Sequence, residues 1–346
     1  MRVLIVKTSA LGDIIHALPV LDFLHRVSPG IEVDWVVEEP FREIVEGNPL
    51  LSRIHVVKTK NWRRHPLSRT TVREISALKA ALRERHYDIL FDIQGNLKSG
   101  LIDWLSDVPD RIGFTSDIVR EQLNLLFTSR QVPLRSRDYH VTDKYLRLVS
   151  VPFGRDFPEM ELKTTIATLP EDDAAADALL LTLGDGLVFL FHCGTSWKTK
   201  LWDESSWIEL GRRLLAERPD ASILLTWGSE QEKQSASAVA QGIGIGARVV
   251  DRYPLKVLVA LMKRVDLVVA PDTGPLHIAA AVGTPTVSFY RATNGRLTGP
   301  RGKNHAIIQS PLSCTRCARK ECDRDAECRG SVTVDMIMRG VASVLG

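Results

Sequence analysis

No apolar run in this chain approaches the roughly 18 residues that a bilayer-spanning helix needs, so no transmembrane segment is predicted. The short apolar stretch at Val3–Val6 is broken by Lys7 and then by Gly12-Asp13, with no small-residue cleavage site behind it. No signal peptide is therefore expected, and the protein is expected to be cytoplasmic. Charge of one sign is also scarce: 45 Lys and Arg stand against 42 Asp and Glu, and a net +3 does not argue for nucleic acid. The sequence G-x-x-x-x-G-K-[ST] is absent, which excludes a P-loop nucleotide hydrolase. The run "GIGIGA" at 242–247 lacks the preceding strand of a dinucleotide fingerprint; it reads as a loop, and a nicotinamide dehydrogenase falls with it.

Cysteine is sparse, with five residues. Cys193 is isolated, while Cys314, Cys317, Cys322 and Cys328 form C-x2-C-x4-C-x5-C. In a cytoplasmic chain that spacing suggests a metal or cluster more than disulfides, but it does not match a zinc ribbon. Free or redox-labile thiols are the competing reading, and no metal ligand is assigned.

What is present is a regular alternation of strand and helix. Strands are predicted at Arg2–Val6, Glu32–Val37, Ile54–Val57 and Asp88–Asp92, then at Leu187–His192, Ser222–Thr226, Arg248–Val250, Leu267–Ala270 and Thr286–Tyr290. Helical patterns lie between them, among them 71–85, 205–217 and 255–264. The fold class is α/β, with parallel sheets covered by helices. A length of 346 residues allows two domains, and an irregular stretch near 152–186 reads as the linker. Two Rossmann-like domains facing a central cleft are expected, 1–168 and 169–346. The last helix, Val334 to Leu345, could pack on either.

"KTSALGDIIHALPVL" (7–21) sets Asp13 directly after a glycine, between an apolar strand and an apolar helical pattern. Two readings compete there. Asp13 is an N-cap whose carboxylate satisfies helical N–H groups, or it is a base at the carboxyl end of a parallel strand, where open α/β sheets bind ligands. In the second half, "APDTGPLHIAAAVGTPTV" ends a strand in Asp272-Thr273-Gly274 and opens a helix at Pro275, a ready phosphate site. His277 lies one turn further on. "FHCGTSWKTKLW" ends another strand in a loop with Thr195, Lys198 and Lys200, able to neutralise a diphosphate. A basic run, "KTKNWRRHPLSRTTVR" (58–73), contains no acid. It reads as a solvated loop, an anionic-acceptor site, or a membrane contact with Trp62 at the interface. It lacks the interleaved aromatics of a nucleic-acid platform.

"MRVLIVKTSALGDIIHALPVL" together with "DTGPLHIAAAVGTPTV" resembles the lipopolysaccharide heptosyltransferases of glycosyltransferase family 9. "DWVVEE" and "YDILFDIQGNLKS" resemble most the member that adds the first heptose to the Kdo sugars of Kdo2-lipid A. The resemblance implies a GT-B fold and inverting transfer from ADP-L-glycero-D-manno-heptose. It implies no cofactor or metal, no nucleic acid, and peripheral association with the cytoplasmic leaflet of the inner membrane. It assigns Asp13 as catalytic base. On the donor it places Thr195, Lys200, Glu232, Asp272, Thr273, Gly274 and His277, with Glu232 near the ribose. On the acceptor it places Arg63, Arg64, Lys98 and Arg120. The four-cysteine segment is instead similar to the member that adds the second heptose. A non-catalytic nucleotide-sugar binding protein is the rival from another class.

Overall fold

The computed structural model describes residues 1–158 and 160–346. The chain divides into two compact units, Met1–Ala167 and Thr168–Gly346.

The first unit holds one six-stranded parallel sheet. Its strands are β1 (Arg2–Val6), β2 (Glu32–Glu38), β3 (Arg53–Val57), β4 (Ile89–Asp92), β5 (Asp110–Phe114) and β6 (Arg130–Val132), in the order β3-β2-β1-β4-β5-β6. The second unit repeats the plan with β7 (Val188–His192), β8 (Ser222–Thr226), β9 (Ala247–Val249), β10 (Leu267–Pro271), β11 (Thr286–Tyr290) and β12 (His305–Gln309), ordered β12-β11-β10-β7-β8-β9. Both orders are the doubly wound order of a dinucleotide-binding fold. In each unit the winding reverses between two central neighbours, β1 and β4 or β7 and β10. There the following loops diverge and leave room for a ligand at the carboxyl ends of the strands. The α/β reading is thereby borne out.

Central strands read as continuous apolar runs because helices cover both their faces. Val3 to Val6 and Leu267 to Ala270 are fully buried. In the second unit an aromatic cluster joins strand to helix: Trp202 lies 5.2 Å from Trp207 and 5.4 Å from Phe289, ring centre to ring centre. The Trp202 Nε1–H donates to Val332 O at 2.8 Å, which fixes the turn that carries Lys200. Among the described residues no helix is long and apolar enough to cross a membrane.

Several local expectations change. The 58–73 run is no loop: Thr59–Arg64 is helical, and Arg69–Glu84 begins a longer helix capped by Ser68. Trp62 is not free for an interface, since it packs on the core and its Nε1–H donates to Glu74 at 2.7 Å. The helical pattern after Asp13 is two helices, Leu11–Ala17 and Pro19–Val27, because Pro19 starts the second. "GIGIGA" is only partly loop: the helix Glu230–Ile243 ends within it, and Gly244 and Gly246 take positive φ before β9. The last helix, Val334–Leu345, packs on β11, β12 and the helix Glu204–Glu217.

Candidate active site

Asp13 and every residue expected on the acceptor side follow the carboxyl end of a strand in the first sheet. Asp13 follows β1, Arg63 and Arg64 follow β3, Lys98 follows β4, and Arg120 follows β5. Asp13 is not the N-cap; that position is Ala10, which has no side chain to cap with. Asp13 sits at the third helical position, and its Oδ2 accepts from the Ala10 N–H at 3.3 Å. Asp13 thus supports the helix start from its third position rather than as the N-cap. Its side chain is 35% exposed, so an incoming hydroxyl can reach it.

Lys7, which sequence reasoning missed, comes next to it. Its Nζ is buried, 3.7 Å from Asp13 Oδ2, 3.5 Å from Ile93 O and 4.8 Å from the centre of the Tyr145 ring. Burial lowers the Lys7 pKa below the ordinary lysine value, and the Asp13 charge works against that, while Arg120 adds to the lowering. Burial also raises the Tyr145 hydroxyl, with Asp13 adding to it. Gln94 closes the neighbouring loop: its Oε1 accepts from the Thr8 and Ser9 N–H groups, each at 3.1 Å. Asp92, fully buried at the end of β4, fixes Gln94 in turn. It accepts from the Gln94 and Gly95 N–H groups at 2.9 Å, from Ser99 Oγ at 2.7 Å and from Asn124 Nδ2 at 2.6 Å. Lys98 reaches Glu38 Oε1 at 3.0 Å, and Glu38 also accepts from the Thr59 N–H at 3.2 Å. The helix bearing Arg63 and Arg64 thus starts beside Lys98. Those two arginines are exposed and make no ion pair among the described residues.

In the second unit the residues expected on the donor side follow β7, β8 and β10. Lys200 Nζ lies 2.8 Å from Asp272 Oδ2 and 3.1 Å from Asp272 O. His277 Nε2 lies 3.3 Å from Asp272 Oδ1. Burial would raise the Asp272 pKa, but the His277 hydrogen bond and the charges of His277 and Lys200 hold it well below the usual carboxylate range. Both carboxylate oxygens are therefore occupied by cationic or N–H partners. Lys200 also stands 4.8 Å from the centre of the Trp197 ring, a stacking partner the sequence did not reveal. The helix Gly274–Ala281 begins here with Thr273 at its N-cap, and no side chain caps its first N–H groups. Glu232 caps its own helix: its Oε2 accepts from the Gly228 N–H at 2.7 Å and the Ser229 N–H at 3.2 Å. It also lies tight on Gly194, beside Thr195, where an added Cβ would fall 2.3 Å from its Cδ. His192, buried at the end of β7, has its pKa lowered by burial to about 4.

Cys314, Cys317, Cys322 and Cys328 line one cavity of about 300 Å³ together with Arg291, Arg319 and Arg324. Thr199 Oγ1 donates to Arg319 O at 2.6 Å, which ties this segment to the Lys200 turn. The cysteines are thiols, and no group of three or more His, Cys, Asp or Glu poised for a metal occurs among the described residues.

Residues 75–326 match the family model described as glycosyltransferase family 9 (heptosyltransferase). The chain is similar to lipopolysaccharide heptosyltransferase 1 of Pseudomonas aeruginosa, 35% identical over 322 residues, 93% of this chain and 87% of that one. It is also similar to the solved structure of the E. coli heptosyltransferase WaaC with ADP, at TM-score 0.80 and 28% identity over 99% of this chain and all of that one. The structure of WaaC with ADP-2-deoxy-2-fluoro heptose gives TM-score 0.77 at 28% identity over 99% of each.

Proposed function

Because this chain belongs to glycosyltransferase family 9, the heptosyltransferases, we propose that it moves heptose from ADP-heptose to a Kdo sugar of Kdo2-lipid A, in lipopolysaccharide inner-core synthesis. The observation that carries this reading is a pairing of opposite chemistry at two switch points. One sheet presents a partly exposed carboxylate, Asp13, among basic groups. The other presents a lysine and an uncapped helix start.

An alcohol is a weak nucleophile, and a positioned base removes its proton as the new bond forms. Asp13 takes the proton of the acceptor hydroxyl while that oxygen bonds to the anomeric carbon and the bond to ADP breaks. One displacement inverts the anomeric centre. The charge that grows on the departing diphosphate meets Lys200 and the N–H groups at Gly274, which stabilise it electrostatically. Asp272 is a positioning residue: with its oxygens held by Lys200 and His277, it aims the lysine rather than touching the phosphate. Glu232 and Thr195 border the nucleoside end of the donor. Lys98, Arg63, Arg64 and Arg120 take the carboxylates and phosphates of the acceptor.

Mass spectrometry of ADP-heptose with Kdo2-lipid A tests the reading. A gain of one heptose with release of ADP is expected. Donor binding without that gain would leave an already heptosylated acceptor as the substrate instead. Reversing Arg63 and Arg64 to glutamate is expected to raise the acceptor KM by roughly tenfold or more with ADP affinity unchanged. Equal losses on both sides would remove the acceptor role. Gly194→Ala drives a methyl group into Glu232 and displaces it, so calorimetry is expected to show ADP affinity weakened by about tenfold.

A further inference from the structure

Two neighbouring elements of the first unit expose large apolar side chains while burying polar ones. The helix Leu97–Ser106 makes its core contact through Ile102 and Leu105, and on the same inward side it buries Ser99, Asp103 and Ser106. Its outward positions are Leu97, Leu101 and Trp104, at i, i+4 and i+7 on one face, 37%, 48% and 64% exposed. The short 3-10 helix Gln122–Leu126 packs beside it and repeats the pattern. Its Asn124 is buried on Asp92, while Leu123 and Leu126, three apart and so on one side, are 56% and 77% exposed. A surface helix of a water-soluble protein normally has one apolar face, turned to the core, whereas this helix carries a second one turned outward. The inward polar groups have a local cause: Ser99 and Asn124 hold Asp92, which holds the Gln94 loop. Among the described residues of the unit, no packing accounts for five large apolar side chains facing out together.

We infer that Leu97, Leu101, Trp104, Leu123 and Leu126 form the face by which this chain docks on an anionic lipid bilayer. The inference rests on the reading that the acceptor is lipid-anchored, and it names the surface that meets the lipid. The charge around the patch selects the occupant. Lys98 lies on the same helix, and Arg120 adjoins its start: a Cβ on Gly95 would lie 3.5 Å from the Arg120 N, and the Leu97 N–H donates to Glu121 at 2.9 Å. The helix with exposed Arg63 and Arg64 begins on the other side of Lys98, through their shared partner Glu38. An apolar face carrying a tryptophan and edged by arginines matches the boundary between acyl chains and anionic headgroups. The patch is also continuous with the proposed acceptor residues Lys98 and Arg120. Docking through it sets the acceptor-binding loops against the leaflet that holds the acceptor.

Flotation with vesicles of phosphatidylethanolamine and phosphatidylglycerol, against vesicles of phosphatidylcholine alone, tests this with no donor present. The wild type is expected to float with the anionic vesicles. The double variant Leu101→Ser, Trp104→Ser is expected to lose at least about tenfold in partitioning while its ADP binding is unchanged. A folded, ADP-binding variant that floats like the wild type overturns the inference. If that variant does not fold, Trp104→Phe with brominated lipid decides: loss of most tryptophan quenching with binding retained supports it, and unaltered quenching overturns it. A wild type that self-associates, ignores vesicles and is dispersed by the double substitution places a second copy on the patch and also overturns it. Heptose transfer to detergent-dispersed acceptor tests the parent reading separately, because it needs no bilayer.

Discussion

Replacing Asp13 by asparagine is expected to cut turnover in heptose transfer by about 10²–10⁴-fold, with ADP affinity at the wild-type value. The proposed base role of Asp13 can be separated from its contact with the helix start because of where it sits. The amide oxygen of asparagine can still accept from the Ala10 N–H, now 3.3 Å from Oδ2, so the helix Leu11–Ala17 keeps its start. What asparagine lacks is the capacity to take a proton. Asp13→Ala removes both functions, and urea unfolding should show a further loss of about 1 kcal/mol for the missing cap. Lys7 sharpens the expectation, since in Asp13→Asn its buried Nζ loses the counter-charge 3.7 Å away. Coupled ADP release and product mass should fall together. If Asp13→Asn turns over like the wild type, the carboxylate is a cap alone and the base must be sought elsewhere.

How far the sequence reached depended on whether a residue's surroundings were local. Alternating apolar runs and helical periods were enough for two parallel sheets, since buried parallel strands announce themselves as continuous Val, Ile and Leu. The strands it missed lie away from the sheet centres. β5 contains Gly113, packed so closely on Thr128 that a Cβ would fall 2.5 Å from its methyl, and glycine weakens a strand pattern. β6 has three residues, and β12 is a sheet edge bearing His305 and Gln309. The helix at 59–64 was hidden because its anchor, Glu74, belongs to the next helix. Asp13, Lys200 and the Asp272–Gly274 turn were visible because strand ends and helix starts are written in consecutive residues. Lys7 was not, because what makes it special is burial beside Tyr145, far along the chain. The face at Leu97, Leu101 and Trp104 shows the limit most plainly. Its spacing alone would turn it toward the core, but Ile102 and Leu105 on the other side take the core contact and buried Asp92 holds Ser99 and Asn124 there, so the face turns out.

Lys200→Ala is expected to lower the rate of transfer by about 10²–10³-fold and to weaken ADP binding as well, unlike Asp13→Asn, because in the proposed reaction the lysine meets the diphosphate both before and during departure. Its second consequence falls on stability. The variant leaves Asp272, buried at the start of the helix Gly274–Ala281, without the ammonium 2.8 Å away. Leaving a buried charge without any partner costs about 3–5 kcal/mol, and here His277, still 3.3 Å from Asp272 Oδ1, offsets part of that loss. Asp272→Asn tests the same pair from the other side. Despite its burial, Asp272 has a folded-state pKa below its unfolded value through His277 and Lys200, so its contribution is complete above the unfolded value near 4. That contribution drains away as pH falls from there through the folded-state pKa. Wild-type stability is therefore expected to drop on acidification below about pH 4 more steeply than that of Asp272→Asn, which has no carboxylate to protonate at this position. Urea midpoints measured from pH 7 down through the acid limb would show the two curves converging. Parallel curves would mean that the Lys200–Asp272 pair does not hold the donor end of the fold, and the loss of transfer in Lys200→Ala would then belong to the phosphate contact alone.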